Sequence, residues 1–248
     1  MTSCILGWPI PAANKRLYDL RYFYTDEKDM AHCSCGVARQ TLLSIYRQEK
    51  RLKTDFAELF SLIVKSDNQS VRGFLVEELC LEVITEKGIK PFSYADDKAP
   101  GGPLEREFFV GKPNWSGLIL QDPQHTSRLY LPKVPNYANI DGAVLNLESR
   151  TSKVAHLYLI QVTIAMQHKG SDVLFYEKQW QEWVEGLTSE GWTVKSTFIW
   201  IDRKQPGGKC VERKTICLRR GDIEINPEYN VWWTGFAQLD SRFKQILL

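Results

Sequence analysis

The sequence predicts an α/β fold, on three observations. Residues ~70–87 carry apolar side chains at helical spacing, and several extended apolar segments follow between residues ~105 and ~166. Residues ~172–189 then return to helical spacing, and the segment VKSTFIWI after them is strongly apolar. Helix, strands, helix and strand in this order are typical of a mixed sheet with helices on its faces.

The first of these segments is expected to be a largely buried helix, because apolar residues cover most of its circumference. Ser70 is the predicted cap at its start, and Gly88 is predicted to end it. Glu77 and Glu78 interrupt the apolar pattern. Burying an unpaired charge is costly, so at least one of these carboxylates is expected to face a polar cavity, a partner or the helix edge.

The extended segments are predicted to be strands. Residues 95–104 separate them from the helix as an exposed loop. VKSTFIWI suits the interior of a sheet, residues 209–236 hold shorter strands, and residues 237–247 are a predicted final helix. In chain order the first extended segments are REFFVG, WSGLIL, RLYLPKV, ANIDGAVLNL and VAHLYLIQVTIAM.

The N-terminal part of the chain is predicted to be mainly helical. Residues ~36–66 have apolar positions at helical spacing, which indicates two helices. We therefore expect residues 1–68 to be a helical extension and residues 69–248 to form the main domain.

Composition sets few limits on function. Of 248 residues, 43% are apolar and 25% are charged, as in ordinary globular proteins, and the formal net charge of +2 neither requires nor excludes a nucleic-acid partner. There is no apolar stretch of about 18 residues and no secretory signal at the N-terminus, so an intracellular location without membrane insertion is expected. The six cysteines are irregularly spaced, which favours reduced thiols, and the C-x-C spacing of Cys33 and Cys35 is not that of a zinc finger.

Polar residues interrupt two neighbouring predicted strands. Asp141 lies in NIDGAV, and Gln161 and Thr163 follow about twenty residues later in LYLIQVTIAMQH. Since strand residues two apart share a face, Gln161 and Thr163 point the same way from an otherwise apolar strand. Such a pair needs hydrogen bonds or an ion. Acidic oxygens on adjacent strands are what a nuclease uses to hold Mg²⁺.

The segments VRGFLVEEL, NIDGAVL and LIQVTIAMQH, in this order, resemble the PD-(D/E)xK superfamily. More narrowly, they resemble the C-terminal nuclease-like domain of Crinkler effectors and their relatives, over residues 72–183. The resemblance implies a restriction-endonuclease-like mixed sheet flanked by helices. It also implies a metal-dependent DNA nuclease, and the host nucleus as location if the protein is a delivered effector.

Residue by residue, the resemblance makes Glu77, Asp141 and Gln161 the ligands of Mg²⁺ or Mn²⁺. Their side chains are then expected within about 4–8 Å of one another, since each would bind the ion at about 2.1 Å. Asp141→Ala is expected to abolish cleavage and to leave thermal stability unchanged or raised, because clustered functional carboxylates repel one another.

Thr163 stands where the superfamily usually has a lysine, and a threonine cannot supply that positive charge. The candidates for a replacement cation are Lys178 and Lys169. His168 is a candidate base or phosphate contact.

Each of these residues also has a structural interpretation. Asp141 precedes a glycine and can belong to a turn, and Gln161 and Thr163 can be ordinary polar residues of a half-solvated strand. Glu77 can be a solvated helix residue paired with Arg72. The second functional hypothesis is therefore a catalytically inactive nuclease-fold module that binds nucleic acid or a protein partner.

The densest basic segment spans residues 203–220, with seven Lys and Arg residues in eighteen positions. It is either a solvated hairpin or a phosphate-binding surface at the edge of the sheet that carries Asp141. Of the adjacent Trp232 and Trp233, one is expected to face outward from a strand. The predicted phosphate contacts are Arg213, Lys214, Arg219 and Arg220.

Overall fold

The structure is a computed structural model, and the chain divides into two compact units. The first unit comprises Met1–Leu79 and Lys133–Pro135, and the second comprises Cys80–Pro132 and Asn136–Leu248. The helices predicted at residues 36–66 lie outside the described residues. The structure describes residues 23–25, 31–33, 69–90, 98–121, 126–133, 137–164, 170–202, 210–215, 218–220, 223–225 and 228–245.

In the first unit, two three-residue strands pair antiparallel: β1 (Phe23–Thr25) and β2 (Ala31–Cys33). The helix α1 (Gln69–Lys87) begins in this unit and ends in the second. It begins one residue before Ser70, the predicted cap, so Ser70 is a helical residue.

The end of α1 is as predicted. Gly88 has a φ of +70°, and its N–H donates to the carbonyl of Ile84 at 2.8 Å. A Cβ at this position would lie 2.4 Å from the carbonyl oxygen of Pro100, so only glycine fits both the backbone conformation and the space. The predicted burial of the helix is also observed, since the residues from Leu79 to Leu81 are at most 2% exposed.

The second unit contains a seven-stranded mixed sheet with the order β3-β4-β5-β6-β7-β11-β8. β4, β5 and β6 form an antiparallel meander, whereas β6, β7 and β11 are parallel to one another. β3 pairs parallel to β4 at one edge, β8 pairs antiparallel to β11 at the other, and β9 and β10 form a separate pair. The strands are β3 (Glu105–Phe109), β4 (Ser127–Pro132), β5 (Gly142–Ser149), β6 (Val154–Val162), β7 (Thr193–Asp202), β8 (Cys210–Thr215), β9 (Leu218–Arg220), β10 (Ile223–Ile225) and β11 (Glu228–Gly235).

The sheet confirms the α/β class, and the interior position of VKSTFIWI is also as predicted, because β7 lies between β6 and β11. WSGLIL, predicted to be a strand, is instead the short helix α2 (Ser116–Gln121). Its first turn forms because the N–H groups of Leu118 and Ile119 donate to the carbonyl of Trp115. A short apolar run does not distinguish a buried helix from a strand by periodicity.

The helical segment predicted at residues 172–189 is two helices, α3 (Ser171–Lys178) and α4 (Trp180–Thr188). They meet at Gln179, whose φ of −120° interrupts the helical path. The final helix is likewise divided, into α5 (Phe236–Leu239) and a 3-10 turn (Ser241–Gln245), because Asp240 between them is extended. Apolar side chains of the two helices are buried, among them Phe175, Trp183 and Leu187.

Helices cover both faces of the sheet. On the face that we call the crossover face, Leu157, Leu159 and Phe198 pack in one core with the aromatic residues of α3 and α4. The opposite face receives the C-terminal half of α1, where Leu81 Cδ2 lies 3.2 Å from the Cβ position of Gly142. The α3–α4 connection therefore crosses over the sheet between the parallel strands β6 and β7.

An ion pair ties the edge strand β8 to α3. Asp172, in the first turn of α3, is 3% exposed, and its Oδ2 accepts hydrogen bonds from Lys214 Nζ at 2.8 Å and Tyr229 OH at 3.3 Å. The Lys214 ammonium also lies 5.9 Å from the ring centre of Trp233. A buried carboxylate with a single cationic partner depends strongly on that partner.

Lys214→Met is therefore expected to lower the free energy of unfolding by about 2–3 kcal/mol, since it leaves Asp172 buried without its cation. The double variant with Asp172→Asn should recover part of that loss. Urea denaturation measures both effects, with Lys195→Met, at an exposed lysine, as the matched control. Equal stability of Lys214→Met and the control would contradict this assignment.

Candidate active site

The register of β5 and β6 brings Asp141 opposite Gln161. Gly142 pairs with Ile160, and the N–H of Asp141 donates to the carbonyl of Ile160 at 2.8 Å, so the antiparallel ladder extends one residue beyond β5. Asp141 thus lies on the crossover face, at the edge of the sheet where β6 ends.

Two donors from β6 hold the Asp141 carboxylate. Its Oδ2 accepts a hydrogen bond from Gln161 Nε2 at 2.7 Å and another from the backbone N–H of Val162 at 2.6 Å. Asp141 is only 7% exposed, so these bonds offset part of the cost of removing its charge from water. The structure therefore brings the two predicted residues into direct contact.

The orientation of the Gln161 amide follows from its acceptors. Its NH₂ group donates to Asp141 and approaches the carbonyl of Val162 at 3.3 Å, so nitrogen is the atom that faces both oxygens. Among the hydrogen bonds between described residues, none involves Gln161 Oε1. This amide oxygen belongs to a half-buried side chain, so it is a suitable ligand for water or a hard cation.

Thr163 continues β6 on the same face as Gln161. Its N–H donates to the carbonyl of Ile201 at 2.9 Å, and the residue is 8% exposed. An uncharged side chain therefore occupies this position beside the Asp141–Gln161 pair, as the sequence implied.

Asp202, the last residue of β7, is an acidic residue near this edge that sequence reasoning did not single out. Val162 pairs with Ile201 in the parallel ladder, so Thr163 and Asp202 are neighbours on one face. Asp202 is half-buried, and its Oδ1 is a buried atom. The signal was an aspartate directly after the apolar run of β7, but only the register between β6 and β7 brings it to this edge.

The remaining predicted site residues are Glu77, Lys178, His168 and Lys169. Glu77 is half-buried and Glu78 is 4% exposed, and both lie in the first unit, so the predicted proximity of Glu77 to Asp141 stays a prediction. Lys178 is exposed at the last position of α3. His168 and Lys169 lie outside the described residues.

The basic segment is divided between two sheets. Arg213 and Lys214 are in β8, the edge strand of the main sheet, whereas Arg219 and Arg220 are in β9 of the separate pair. Lys214 is engaged with Asp172, which gives it a structural role whatever else it binds. Trp232 is 4% exposed, while its neighbour Trp233 is half-buried on the crossover face.

A second polar cluster lies near the other end of β5. Glu148 contacts His156 Nε2 at 2.7 Å and Lys98 Nζ at 2.9 Å, and the Lys195 ammonium lies 3.8 Å away. The hydrogen bonds from His156 and then Lys98 lower the pKa of Glu148 to about 2. Glu148 and Asp141 are seven residues apart along an extended strand, so at about 3.3 Å per residue the cluster is separate from the Asp141 site.

Comparisons with family models, curated proteins and solved structures find no match for this chain. Within the described residues, no group of three or more His, Cys, Asp or Glu side chains is arranged to hold a metal ion. No helix in that same part of the chain is long and apolar enough to cross a membrane. The Asp141–Gln161 pair differs from such a group because it combines one carboxylate with an amide.

Asp141 accepts hydrogen bonds from β6, so its removal is expected to lower the stability of the fold. The sequence alone had suggested that stability would be unchanged or raised. Asp141→Ala removes the acceptor of the buried Val162 N–H and should lower the free energy of unfolding by about 1–3 kcal/mol. Asp141→Asn keeps an oxygen that can accept this bond, so it should lose less. Urea denaturation of both variants, with Glu177→Ala on the exposed side of α3 as control, measures the difference. An alanine variant as stable as the wild type would contradict the role of this bond.

Proposed function

We propose that this protein is a metal-dependent nuclease of the PD-(D/E)xK type that hydrolyses phosphodiester bonds in DNA. The observation that carries the proposal is the hydrogen-bonded pair of Asp141 and Gln161 on adjacent strands at one edge of the sheet. The proposal includes a restriction-endonuclease-like topology and an effector role in a host nucleus.

The order of the elements supports this proposal. α1 precedes the antiparallel strands β4, β5 and β6, and the helices α3 and α4 then lead to β7, parallel to β6. Asp141 comes from the start of the second of these strands and Gln161 from the end of the third. This is the succession of helix, aspartate strand, glutamine strand and helix that the sequence resemblance implies.

The pair contains the types of oxygen that a hard divalent cation prefers. Asp141 supplies a carboxylate, and the Gln161 amide, whose nitrogen faces Asp141, would turn its oxygen toward that carboxylate to bind the same ion. Glu77 remains the predicted third ligand. When bound, Mg²⁺ or Mn²⁺ would stabilise negative charge on the phosphate and lower the pKa of a bound water.

The chain's own residues would orient the site and supply its positive charge. The Val162 N–H would continue to hold the Asp141 carboxylate while the ion binds. Thr163 cannot donate a charge, so Lys178 or Lys169 would approach the phosphate. His168 would act as base or phosphate contact.

The proposal predicts that cleavage depends on the charge of Asp141. Purified protein should cleave plasmid or single-stranded DNA with Mg²⁺ or Mn²⁺ and not with EDTA. Asp141→Asn, which nearly preserves the shape of the side chain, should reduce the rate by about 100-fold or more. Glu177→Gln, a change of the same chemistry on the exposed side of α3, is the matched control. An Asp141→Asn variant that cleaves at the wild-type rate would contradict the assignment of Asp141 as a metal ligand.

The alternative of an inactive module has a distinct result in the same assay. Binding of DNA without cleavage under any metal condition would favour the nucleic-acid-binding module. If the protein neither binds nor cleaves DNA, the result would favour a module that binds a protein partner.

Nucleic acid is expected to bind through the basic segment 203–220. The test uses the triple variant Arg213→Ala, Arg219→Ala, Arg220→Ala and keeps Lys214, whose loss would uncover Asp172. Affinity should fall for all DNA sequences, and the slope of log affinity against log salt should decrease by about one for each phosphate that the variant no longer neutralises. A triple alanine variant at Lys112, Lys153 and Lys195 makes the same charge change at exposed positions elsewhere. Equal slopes for the two triple variants would exclude the segment.

A further inference from the structure

We propose that Trp233 stacks on a nucleobase of the nucleic acid that the proposed function brings to this sheet. The inference rests on the proposed function, because that function supplies the nucleic acid. It deepens the function by naming single-stranded nucleic acid as the class of substrate.

The strand register aligns Trp233 with Gln161. Gln161 pairs with Trp200 in the parallel ladder of β6 and β7, and Trp200 pairs with Trp233 in the ladder of β7 and β11. Paired residues share a face of the sheet, so the three side chains form one row on the crossover face. With strands about 4.8 Å apart, the Cα atoms of Gln161 and Trp233 are roughly 10 Å apart. A nucleic acid strand that contacts Gln161 can therefore reach Trp233 with a neighbouring nucleotide.

Trp233 is the accessible tryptophan of this region. Trp200 is 5% exposed, and Trp232, on the opposite face of β11, is 4% exposed. Trp233 is half-buried, with part of its side chain packed against the aromatic core. Its indole is thus held in place by the core and still presents apolar surface to a ligand, as a stacking platform requires.

Positive charge lies beside the indole. Lys214 Nζ is 5.9 Å from the ring centre of Trp233 and 2.8 Å from Asp172 Oδ2. Asp172 is buried, whereas 26% of the Lys214 side chain is exposed, so the lysine is the member of the ion pair that faces a ligand. An aromatic ring next to a cation is the combination that binds single-stranded nucleic acids, because the ring stacks on a base and the cation attracts the phosphates.

The position of Trp233 favours a single strand over a duplex. Trp233 lies within β11, between the neighbouring strands β7 and β8, so its indole does not project on a loop. In a duplex each base is stacked between its neighbours, and a protein reaches a base face only after the base leaves the stack. A single strand exposes its base faces, so it can stack on a ring that belongs to a sheet.

The test measures binding of the full chain to single-stranded oligothymidine by fluorescence anisotropy, in EDTA and over a range of salt concentrations. Trp233→Leu should weaken binding about tenfold, because loss of one stacked base costs this much or more. The slope of log affinity against log salt should stay the same, since the variant removes no charge. Trp233→Phe should recover part of the affinity, because it keeps a ring. Tyr137→Leu is the matched control, at a half-buried aromatic residue that packs against Phe109.

A second measurement uses the wild-type protein, so it does not depend on the folding of a variant. Single-stranded DNA that contains 5-iodouracil forms photochemical crosslinks with aromatic side chains that stack on it. Irradiation of the complex, followed by mass spectrometry of the peptides, should locate a crosslink at Trp233.

The outcomes separate this inference from the proposed function. Weaker single-strand binding in Trp233→Leu at an unchanged salt slope, with recovery in Trp233→Phe and a crosslink at Trp233, supports the stacking role. Equal affinities of Trp233→Leu and Tyr137→Leu, crosslinks only at other residues, or an equal loss of duplex binding in Trp233→Leu overturn it and leave the nuclease proposal standing. Stacking at Trp233 without cleavage under any metal condition overturns the nuclease proposal alone. Absence of nucleic-acid binding in the wild type overturns both.

Discussion

The site depends on the pairing of β6 with two neighbours of opposite direction. β5 pairs antiparallel to β6 and β7 pairs parallel to it. The register of β5 and β6 shifts between Leu147 and Ser149, far from Asp141, and it is regular from Leu147 to Gly142. Side chains alternate between faces, so a shift of one residue in either ladder would move Gln161 or Asp202 to the face that α1 covers. Everything that distinguishes this sheet edge, including the hydrogen bonds of Asp141, follows from these two registers.

The core holds the registers in place. Leu157 and Leu159 point from β6 into the same aromatic core as Phe175 and Trp183. A strand slipped by one residue would put His156 or Tyr158 in place of Leu157, and neither side chain has its shape. Trp183 is central to this core, since its ring meets the rings of Phe109, Trp115 and Phe175 edge-on at 5.1–5.9 Å. Such contacts are directional as well as apolar, so they favour one packing over its near alternatives.

The parts of this fold that the sequence predicted are those governed by local pattern. The α1 end at Gly88, the buried strand β7 and the shared face of Gln161 and Thr163 each follow from residue types a few positions apart. The errors involve distant contacts. WSGLIL forms α2, whose first turn bonds to the carbonyl of Trp115, and the Trp115 indole donates to the carbonyl of Trp183, sixty-eight residues away. Asp202 was not singled out for the same reason. It lies beside Thr163 only because β6 pairs with β7, and the helices α3 and α4 separate these two strands in the sequence.

The contact between Gln161 and Asp141 also explains how a buried carboxylate is tolerated at this edge. A glutamate at position 161 would place a second negative charge against Asp141, and without a cation the two would repel each other in a poorly solvated place. Glutamine instead donates two hydrogen atoms from one nitrogen, so it stabilises the carboxylate and still presents an oxygen on its other side. The hydrogen bonds within the protein therefore stabilise the pair without a bound ion.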